Sequence, residues 1–144
     1  LVFVGQGSGW EELAERARRV AGVVLIPAVS AEEADRWMAR ASATLASLRP
    51  GGYDYAYPTK ILASLAQGTP VIYAGPGQAA HDVREAGLGA ACGLDADQVA
   101  EAMVAVASGT LDWVGEERVR AWVREHRSVS ASSRAAAAVV RSAL

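Results

Sequence analysis

Short apolar runs alternate along the chain with stretches whose apolar residues recur every three to four positions. The apolar runs are rich in β-branched residues and predict short strands near 1–4, 23–26, 43–48, 70–75 and 89–92. The amphipathic stretches between and after them predict helices. Nearly continuous apolar strands that alternate with helices are typical of a parallel sheet covered on both faces. The pattern therefore predicts an α/β fold, a doubly wound parallel sheet that residues 1–144 form as one domain.

Capping residues indicate where several helices begin. Each pair below joins a Ser or Asp to a Glu or Gln three residues later, which is the arrangement of a capping box. The pairs are Ser8–Glu11, Ser30–Glu33 and Asp95–Gln98. The apolar positions Leu13, Ala17 and Val20 follow Ser8 at helical spacing and predict that the first helix extends as far as Val20.

Composition narrows the function classes. The 14 basic and 16 acidic side chains give a net charge of −2, and no basic stripe interleaved with aromatic residues is present, so nucleic-acid binding is not expected. Cys92 is the single cysteine and cannot form an internal disulfide; its neighbours in GAACGL indicate a buried strand rather than a reactive thiol. No apolar run reaches the length of about 20 residues that a bilayer span needs. With no secretory signal visible, we expect a cytoplasmic protein.

Several familiar site types do not fit. The segment GQGSGW (5–10) begins like a dinucleotide-binding fingerprint, but Trp10 occupies the position of its third glycine. In addition, Ile26 and Pro27 stand at the end of the second strand, where the fingerprint has the acidic residue that binds the ribose. A tight turn leading into a helix explains that segment equally well. His81 and His126 lie far apart with no ligand at metal-binding spacing, so no metal site is expected. Neither a Walker A loop nor a G-x-S-x-G elbow occurs.

The segment RPGGYDYAYPTK (49–60) carries the strongest candidate chemistry. Gly51 and Gly52 permit close approach of the backbone to a ligand. Pro58 suits the first turn of a helix that runs to about Gln67, and the N-terminus of a helix attracts anions. Thr59 and Lys60, the only lysine of the chain, add a hydroxyl and a positive charge at that helix end. An ordinary surface lysine beside a tyrosine-rich turn remains the alternative explanation.

The longer segment YPTKILASLAQGTPVIYAG (57–75) resembles the donor-binding, C-terminal half of retaining GT-B glycosyltransferases (glycosyl transferases group 1, family 4-like). In that family a loop enters a helix through Pro-(Ser/Thr)-Lys or Gly-x-Pro, continues to a Glu and then to A-x-G-x-P-V-I. LVFVGQGSGWEELAERA resembles the family's V-G-x-G strand, turn and helix, and residues 23–50 and 75–103 are similar to the segments around it. The resemblance implies a Rossmann-like sheet of about five or six strands, without the family's first strand–helix unit and N-terminal acceptor half.

The resemblance also implies an activity and a set of site residues. The parent enzyme would transfer a sugar from a nucleotide-diphosphate donor to an acceptor with retention of the anomeric configuration. Apart from the donor substrate, it would need no cofactor and no metal. Lys60 would be catalytic, because a cation stabilises the charge that develops on the leaving diphosphate. The implied contacts are Gly51, Gly52, Thr59 and Lys60 for the diphosphate, Tyr55, Tyr57 and Ala63 near the sugar or ribose, and Pro27, Ala28 and Val29 near the base. Bacterial cell-envelope or polysaccharide synthesis is the implied setting, and peripheral membrane association through the missing half is left open.

One departure from the family pattern keeps other functions open. The family's Glu-x7-Glu pair would fall on Tyr55 and Ala63, so both carboxylates, including the one that usually holds the ribose, are replaced. This chain by itself is expected to be inactive. Two alternatives remain: a non-catalytic nucleotide-sugar-binding pseudoenzyme, and a structural, flavodoxin-like interaction domain that binds no nucleotide.

Overall fold

The computed structural model describes residues 1–49, 51 and 55–142. Gly52, one of the residues assigned to the diphosphate, lies outside the described residues. The backbone divides into two compact units, Leu1–Trp37 and Met38–Leu144, with the boundary inside a helix. Each unit is described by itself below.

The first unit contains a two-stranded parallel sheet. Strands β1 (Val2–Val4) and β2 (Val24–Ile26) pair in register, with Val2 opposite Val24 and Val4 opposite Ile26. Helix α1 (Trp10–Ala17) connects them, and α2 (Ala31–Arg40) follows β2. The parallel pairing confirms the strand–helix–strand unit that the alternating pattern predicts.

The second unit contains a three-stranded parallel sheet in the order β3-β4-β5. These strands are β3 (Thr44–Ser47), β4 (Val71–Ala74) and β5 (Gly89–Cys92). Every residue of the central strand β4 is buried, because neighbouring strands cover its edges and helices cover its faces. The helices of this unit that follow β3 are α3 (Thr59–Ala66), α4 (Gln78–Glu85), α5 (Ala96–Ala107), α6 (Glu116–His126) and α7 (Val129–Ser142).

Side chains from the two faces of β4 enter two separate cores. Val71 and Tyr73 point into a core that includes Ile61 and Leu65 of α3 and Val119 of α6. Ile72 and Ala74 point to the other face, where they pack with Cys92 and with Ala102 of α5. Alternate residues of a strand face opposite sides of the sheet, so this division confirms the predicted helix cover on both faces.

The close contact between α3 and α6 depends on a glycine. Gly68 follows α3 with φ of +83°, and a Cβ atom there would collide with the side chains of Glu116 and Arg120 on α6. Arg120 donates a hydrogen bond from Nη2 to the carbonyl oxygen of Gln67 at 2.7 Å, at the C-terminal end of α3. A cation at that end of a helix also complements its dipole. Gly68 therefore follows the end of α3, which lies close to the predicted end near Gln67, and lets α6 approach the helix.

Two of the three predicted capping residues are confirmed. The Ser30 hydroxyl accepts a hydrogen bond from the Glu33 amide at 3.2 Å, and Asp95 accepts from the amides of Asp97 and Gln98 at 2.8 and 3.2 Å. The prediction for Ser8 was wrong, because α1 begins at Trp10 with Gly9 at its N-cap and, in the described residues, without a side-chain cap. Gly7 and Gly9 permit a turn in which the Trp10 amide bonds to the Gly7 carbonyl, which delays the helix. The helix also ends at Ala17, so Val20 lies beyond it and is 55% exposed.

Candidate functional site

The carboxyl edge of the β3-β4-β5 sheet is the place where ligands collect in folds of this kind. The loops after these strands begin at Leu48, Gly75 and Gly93. The sheet's hydrogen bonding continues past the strand ends, since the Leu48 amide donates to the Ala74 carbonyl at 3.0 Å and the Gly75 amide donates to the Cys92 carbonyl at 3.4 Å. The starts of the first two loops are thereby fixed relative to the neighbouring strands.

The loop after β4 is packed tightly against the end of β3. Gly75 has φ of +155°, and a Cβ atom there would lie 2.7 Å from the Leu48 carbonyl oxygen and 3.0 Å from the Tyr73 hydroxyl. The buried Tyr73 donates a hydrogen bond from that hydroxyl to the carbonyl of Pro76 at 2.9 Å. Close packing and a hydrogen bond therefore hold the loop after β4 against the end of β3.

The N-terminus of α3 presents the predicted anion-binding groups. Pro58 is the N-cap, with φ of −63°, and in the described residues no side chain caps the helix. Its first turn contains no acidic residue, and both Thr59 and Lys60 are exposed. The Ile61 amide bonds to the Pro58 carbonyl at 3.0 Å. The helix therefore presents to solvent a positive dipole end, a hydroxyl and an ammonium group, which together suit an anion.

The remaining predicted residues near this helix differ in their environment. Ala63 is half-buried and lies four residues after Thr59, so it shares a face of α3 with the helix tip. Gly51 is exposed. Tyr55 is 85% exposed, whereas Tyr57 is half-buried and packs against the core of the second unit. The structure thus brings Tyr57, Thr59, Lys60 and Ala63 together at the start of α3.

The residues assigned to the base follow a different strand. Pro27, Ala28 and Val29 come directly after β2 in the first unit, at the carboxyl end of that strand. Pro27 and Ala28 are exposed and Val29 is half-buried. Within their own unit they occupy the position in which a parallel sheet offers backbone groups to a ligand.

An ion pair between a buried carboxylate and a half-buried arginine, which the sequence did not indicate, lies next to Tyr57. Arg127, at the end of α6, forms a salt bridge with Asp82 of α4, and Gln78 donates a hydrogen bond to the other oxygen of Asp82 at 2.7 Å. The guanidinium carbon of Arg127 lies 4.8 Å from the ring centroid of Tyr57 and 5.7 Å from that of Trp122. We call Tyr57, Asp82, Trp122 and Arg127 the α3 clamp.

Burial and charge determine the protonation states within the α3 clamp. Burial opposes ionisation of Asp82, but the hydrogen bonds from Arg127 and Gln78 and the charge of Arg127 outweigh it, so the pKa of Asp82 is lowered. Burial, reinforced by the charge of Asp82, raises the pKa of Tyr57 far above its usual value. Asp82 is therefore ionised and Tyr57 neutral at physiological pH.

Only half of this ion pair has a signal in the sequence. Asp82 stands between Ala79 and Val83 on the apolar face of a predicted helix, and a carboxylate in such a position needs a partner. Its partner Arg127 lies 45 residues later at the end of another helix, and nothing in the local pattern selects it among the thirteen arginines.

The two histidines and the thiol of Cys92 are not members of the α3 clamp. His81 is exposed on α4, and the ring of the exposed His126 lies 5.3 Å from that of Trp122. Cys92 is buried and contacts the Gln98 carbonyl at 3.6 Å, and its burial, together with the charge of Glu101, raises the pKa of its thiol. In the described part of the chain, no three His, Cys, Asp or Glu side chains are grouped to hold a metal ion.

Comparison with known proteins decides the family. Residues 1–109, which include both β1 and the whole of α3, match the family described as glycosyl transferases group 1. The chain belongs to that family. Among curated proteins none matches this chain.

A solved structure agrees with this glycosyltransferase assignment. The fold is similar to the crystal structure of AviGT4, a glycosyltransferase involved in avilamycin A biosynthesis, with a TM-score of 0.70 and 28% sequence identity. The match covers 94% of this chain and 40% of AviGT4, so the chain spans less than half the length of that protein. The α/β fold with parallel sheets is therefore that of a GT-B glycosyltransferase, as the sequence predicted, with five strands in two sheets among the described residues.

None of the helices described in this chain has the length and apolar character needed to cross a membrane.

Proposed function

We propose that this chain forms the donor-binding half of a retaining glycosyltransferase, which transfers a sugar from a nucleotide-diphosphate donor to an acceptor. The observation that carries the proposal is the start of α3. Thr59 and Lys60 are exposed there on a helix end that lacks a side-chain cap in the described residues, within the segment that matches the glycosyl transferases. The diphosphate of the donor has the charge and size that such a helix end accommodates.

Lys60 is the catalytic residue in this proposal. Cleavage of the bond between sugar and diphosphate leaves negative charge on the departing phosphate oxygen. An ammonium group and amide dipoles that are already in place stabilise this charge without rearranging during the reaction. Thr59 adds a hydrogen-bond donor, and Gly51 and Gly52 allow the preceding loop to approach the phosphates. No metal is needed, because Lys60 and the helix end supply the positive charge.

The sugar, the ribose and the base are assigned to the other predicted residues. Tyr55 and Tyr57 precede the helix tip and Ala63 lies one turn beyond it, so we place the sugar and ribose near them. Pro27, Ala28 and Val29 would contact the base through their backbone groups. Without a carboxylate at position 63, the ribose would be held by other groups.

The replaced carboxylates favour one alternative function. Tyr55 and Ala63 stand where the resemblance implies a pair of glutamates, and the half-buried methyl group of Ala63 accepts no hydrogen bond. A pseudoenzyme that binds a nucleotide sugar without transferring it is consistent with this loss. Turnover of the full-length protein separates the two functions, since a pseudoenzyme binds donor and releases no diphosphate.

We also propose that the protein contains a further strand–helix unit and an acceptor half. This part of the proposal is supported by the share of AviGT4, 40%, that the match covers. The acceptor half, the cytoplasmic location and any peripheral membrane association belong to this proposal as well.

The proposal is tested by binding and turnover with defined nucleotides. Calorimetry measures the affinity of the full-length protein for UDP, GDP, ADP and dTDP and for the matching monophosphates. One of the diphosphates should bind at least about tenfold more tightly than its monophosphate, because the second phosphate reaches α3. The matching sugar nucleotide should be turned over with retention, which NMR of the product measures. A protein that binds none of these nucleotides would instead be a structural domain.

A further inference from the structure

The α3 clamp joins three elements at the point where the backbone enters α3. Tyr57 comes from the β3–α3 connection, Asp82 from α4, and Trp122 and Arg127 from the C-terminal part of α6. The guanidinium of Arg127 is held by the carboxylate of Asp82 and by the two aromatic rings. A planar cation held in this way is restricted in both position and orientation.

Stability alone is a weak reason for this arrangement. Asp82 is only 8% exposed, and the Arg127 Nε is buried without a hydrogen-bond partner among the described residues. Buried polar atoms that lack partners cost free energy, and well-packed apolar side chains often stabilise a fold as well as a buried ion pair does. The fixed geometry of an ion pair is better suited to holding one segment in one place.

The segment held by the α3 clamp is the one that carries the proposed diphosphate site. Pro58 alone separates Tyr57 from Thr59, and its ring restricts φ to −63°. The Ile61 amide then bonds to the Pro58 carbonyl and closes the first turn of α3. A displacement of Tyr57 therefore passes to Thr59 and Lys60 with little backbone freedom to absorb it.

The opposite end of α3 provides a matched control. Arg120, also on α6, donates a hydrogen bond to the Gln67 carbonyl at the C-terminal end of α3 and pairs with Glu116. The two arginines thus attach α6 to the two ends of α3. Only Arg127 acts at the end that carries Lys60.

We propose that Asp82 and Arg127 are positioning residues for the donor site, which fix Tyr57 and, through it, the first turn of α3 against the donor diphosphate. This inference rests on the proposed function. Neither residue touches the donor, so their effect on binding is carried by the position of Thr59 and Lys60.

The test compares Arg127→Met and Arg127→Lys with Arg120→Met in the full-length protein. Calorimetry measures the affinity for the nucleoside diphosphate that the wild type binds best among UDP, GDP, ADP and dTDP, and thermal unfolding measures stability. Arg127→Met should weaken binding by about tenfold or more, because a small misplacement of binding groups has a large effect. Arg127→Lys keeps the charge without the planar contacts and should retain part of the affinity. Arg120→Met should lower the melting temperature but leave affinity within about twofold of the wild type.

Amide exchange gives a second readout, in the absence of ligand. Arg127→Met should speed exchange at Ile61, Leu62 and Ala63 relative to Val71 and Tyr73 of β4, because the first turn of α3 loses its support. Arg120→Met should leave that ratio unchanged.

Three outcomes would contradict the inference. Affinity of Arg127→Met within about twofold of the wild type would overturn the positioning role alone, and so would equal losses in Arg120→Met and Arg127→Met. If Arg127→Met does not fold, the test rests on Arg127→Lys. Full wild-type affinity in that variant would show that the contacts of the planar guanidinium with Tyr57, Trp122 and Asp82 do not position the donor site. A wild type that binds none of the nucleotides would overturn the proposed function itself.

Discussion

The backbone of Gly75 lies so close to Leu48 that a Cβ atom at position 75 would be 2.7 Å from the Leu48 carbonyl oxygen. This contact joins the loops that follow β3 and β4 at the carboxyl edge of the sheet. Because φ of Gly75 is +155°, a side chain there would be strained even without the collision.

Substituting Gly75 with alanine should therefore destabilise the protein. We expect the free energy of unfolding to fall by about 1–3 kcal/mol, the cost of a strained backbone position. Gly93→Ala is the control, because Gly93 follows β5 as Gly75 follows β4 but its added Cβ would lie 3.4 Å from the nearest atom. Urea denaturation of both variants measures the difference, and equal stabilities would show that the loop after β4 can relax.

A chain of hydrogen-bonded hydroxyl groups around the buried Ser64 should contribute stability without affecting ligand binding. Thr44 donates to the Ser64 hydroxyl at 2.7 Å, and Ser64 donates to the Thr69 carbonyl at 3.1 Å. Ser64→Ala removes the partner of both groups and should cost about 1–3 kcal/mol of unfolding free energy. Thr44 begins β3, so this network lies at the amino edge of the sheet, away from the tip of α3.

Two observations check that prediction. Ser108→Ala removes an exposed hydroxyl and should change the unfolding free energy by less than about 0.5 kcal/mol. Nucleoside diphosphate affinity should be unchanged in the folded Ser64→Ala protein. A marked loss of affinity would mean that the amino edge of the sheet is coupled to the donor site.

The ion pair of the α3 clamp predicts a specific pH dependence. The pKa of Asp82 is lower in the folded protein than its usual value, which is about 3.9. The stabilisation from the pair is therefore complete above about pH 5 and is lost as the pH falls through the lowered pKa. Asp82→Asn should cost about 1–3 kcal/mol at neutral pH, because it leaves Arg127 without its counter-ion.

The difference in unfolding free energy between the wild type and Asp82→Asn, measured from pH 7 down to about pH 3, should narrow towards the acid end. Asp112→Asn removes an exposed carboxylate and serves as the control. A difference between wild type and Asp82→Asn that stays constant over this range would show that the charge of Asp82 does not stabilise the fold.

Restoring a carboxylate at position 63 should strengthen donor binding. Ala63 lies one helical turn from Thr59, so Ala63→Glu places an acceptor on the face of α3 that carries the predicted site. Hydrogen bonds from ribose hydroxyls should add about 1–3 kcal/mol of binding free energy. Ala66→Glu adds the same charge on the same helix about one turn further and should add none. Equal affinities of Ala63→Glu and wild type in calorimetry would place the ribose elsewhere.

The sequence was sufficient to predict most of the fold, because its signals are local. Apolar runs predicted all five described strands, and the Asp95–Gln98 pair predicted the start of α5. The start of α1 was missed because glycines on both sides of Ser8 favour a turn over a capped helix.

The candidate site was only partly predictable. Thr59 and Lys60 follow a proline at a helix start, so their place at the tip of α3 could be inferred from the local pattern. The α3 clamp could not, because Tyr57, Asp82 and Arg127 meet only through the packing of α4 and α6. The division of the strands into two sheets also depends on long-range pairing, which periodicity does not encode.

The central claim is that Lys60 binds and stabilises the donor diphosphate at the tip of α3. Lys60→Met should keep the fold, because Lys60 is exposed and a cation at the N-terminal end of a helix adds little stability. The control Arg84→Met removes an exposed cation from the last turn of α4, which leads to the amino end of β5. Lys60→Arg should retain only part of the wild-type function, because the planar guanidinium group of arginine replaces the compact ammonium group of lysine.

The most direct measurement is turnover of the full-length protein with its sugar nucleotide, made beside calorimetry with the matching nucleoside diphosphate. In Lys60→Met the diphosphate should bind more weakly by about 1–3 kcal/mol, and kcat should fall by a larger factor than the affinity, since the charge on the leaving group is greatest in the transition state. Arg84→Met should match the wild type in both measurements. Wild-type affinity and turnover in Lys60→Met would contradict the account and make Lys60 an ordinary surface residue.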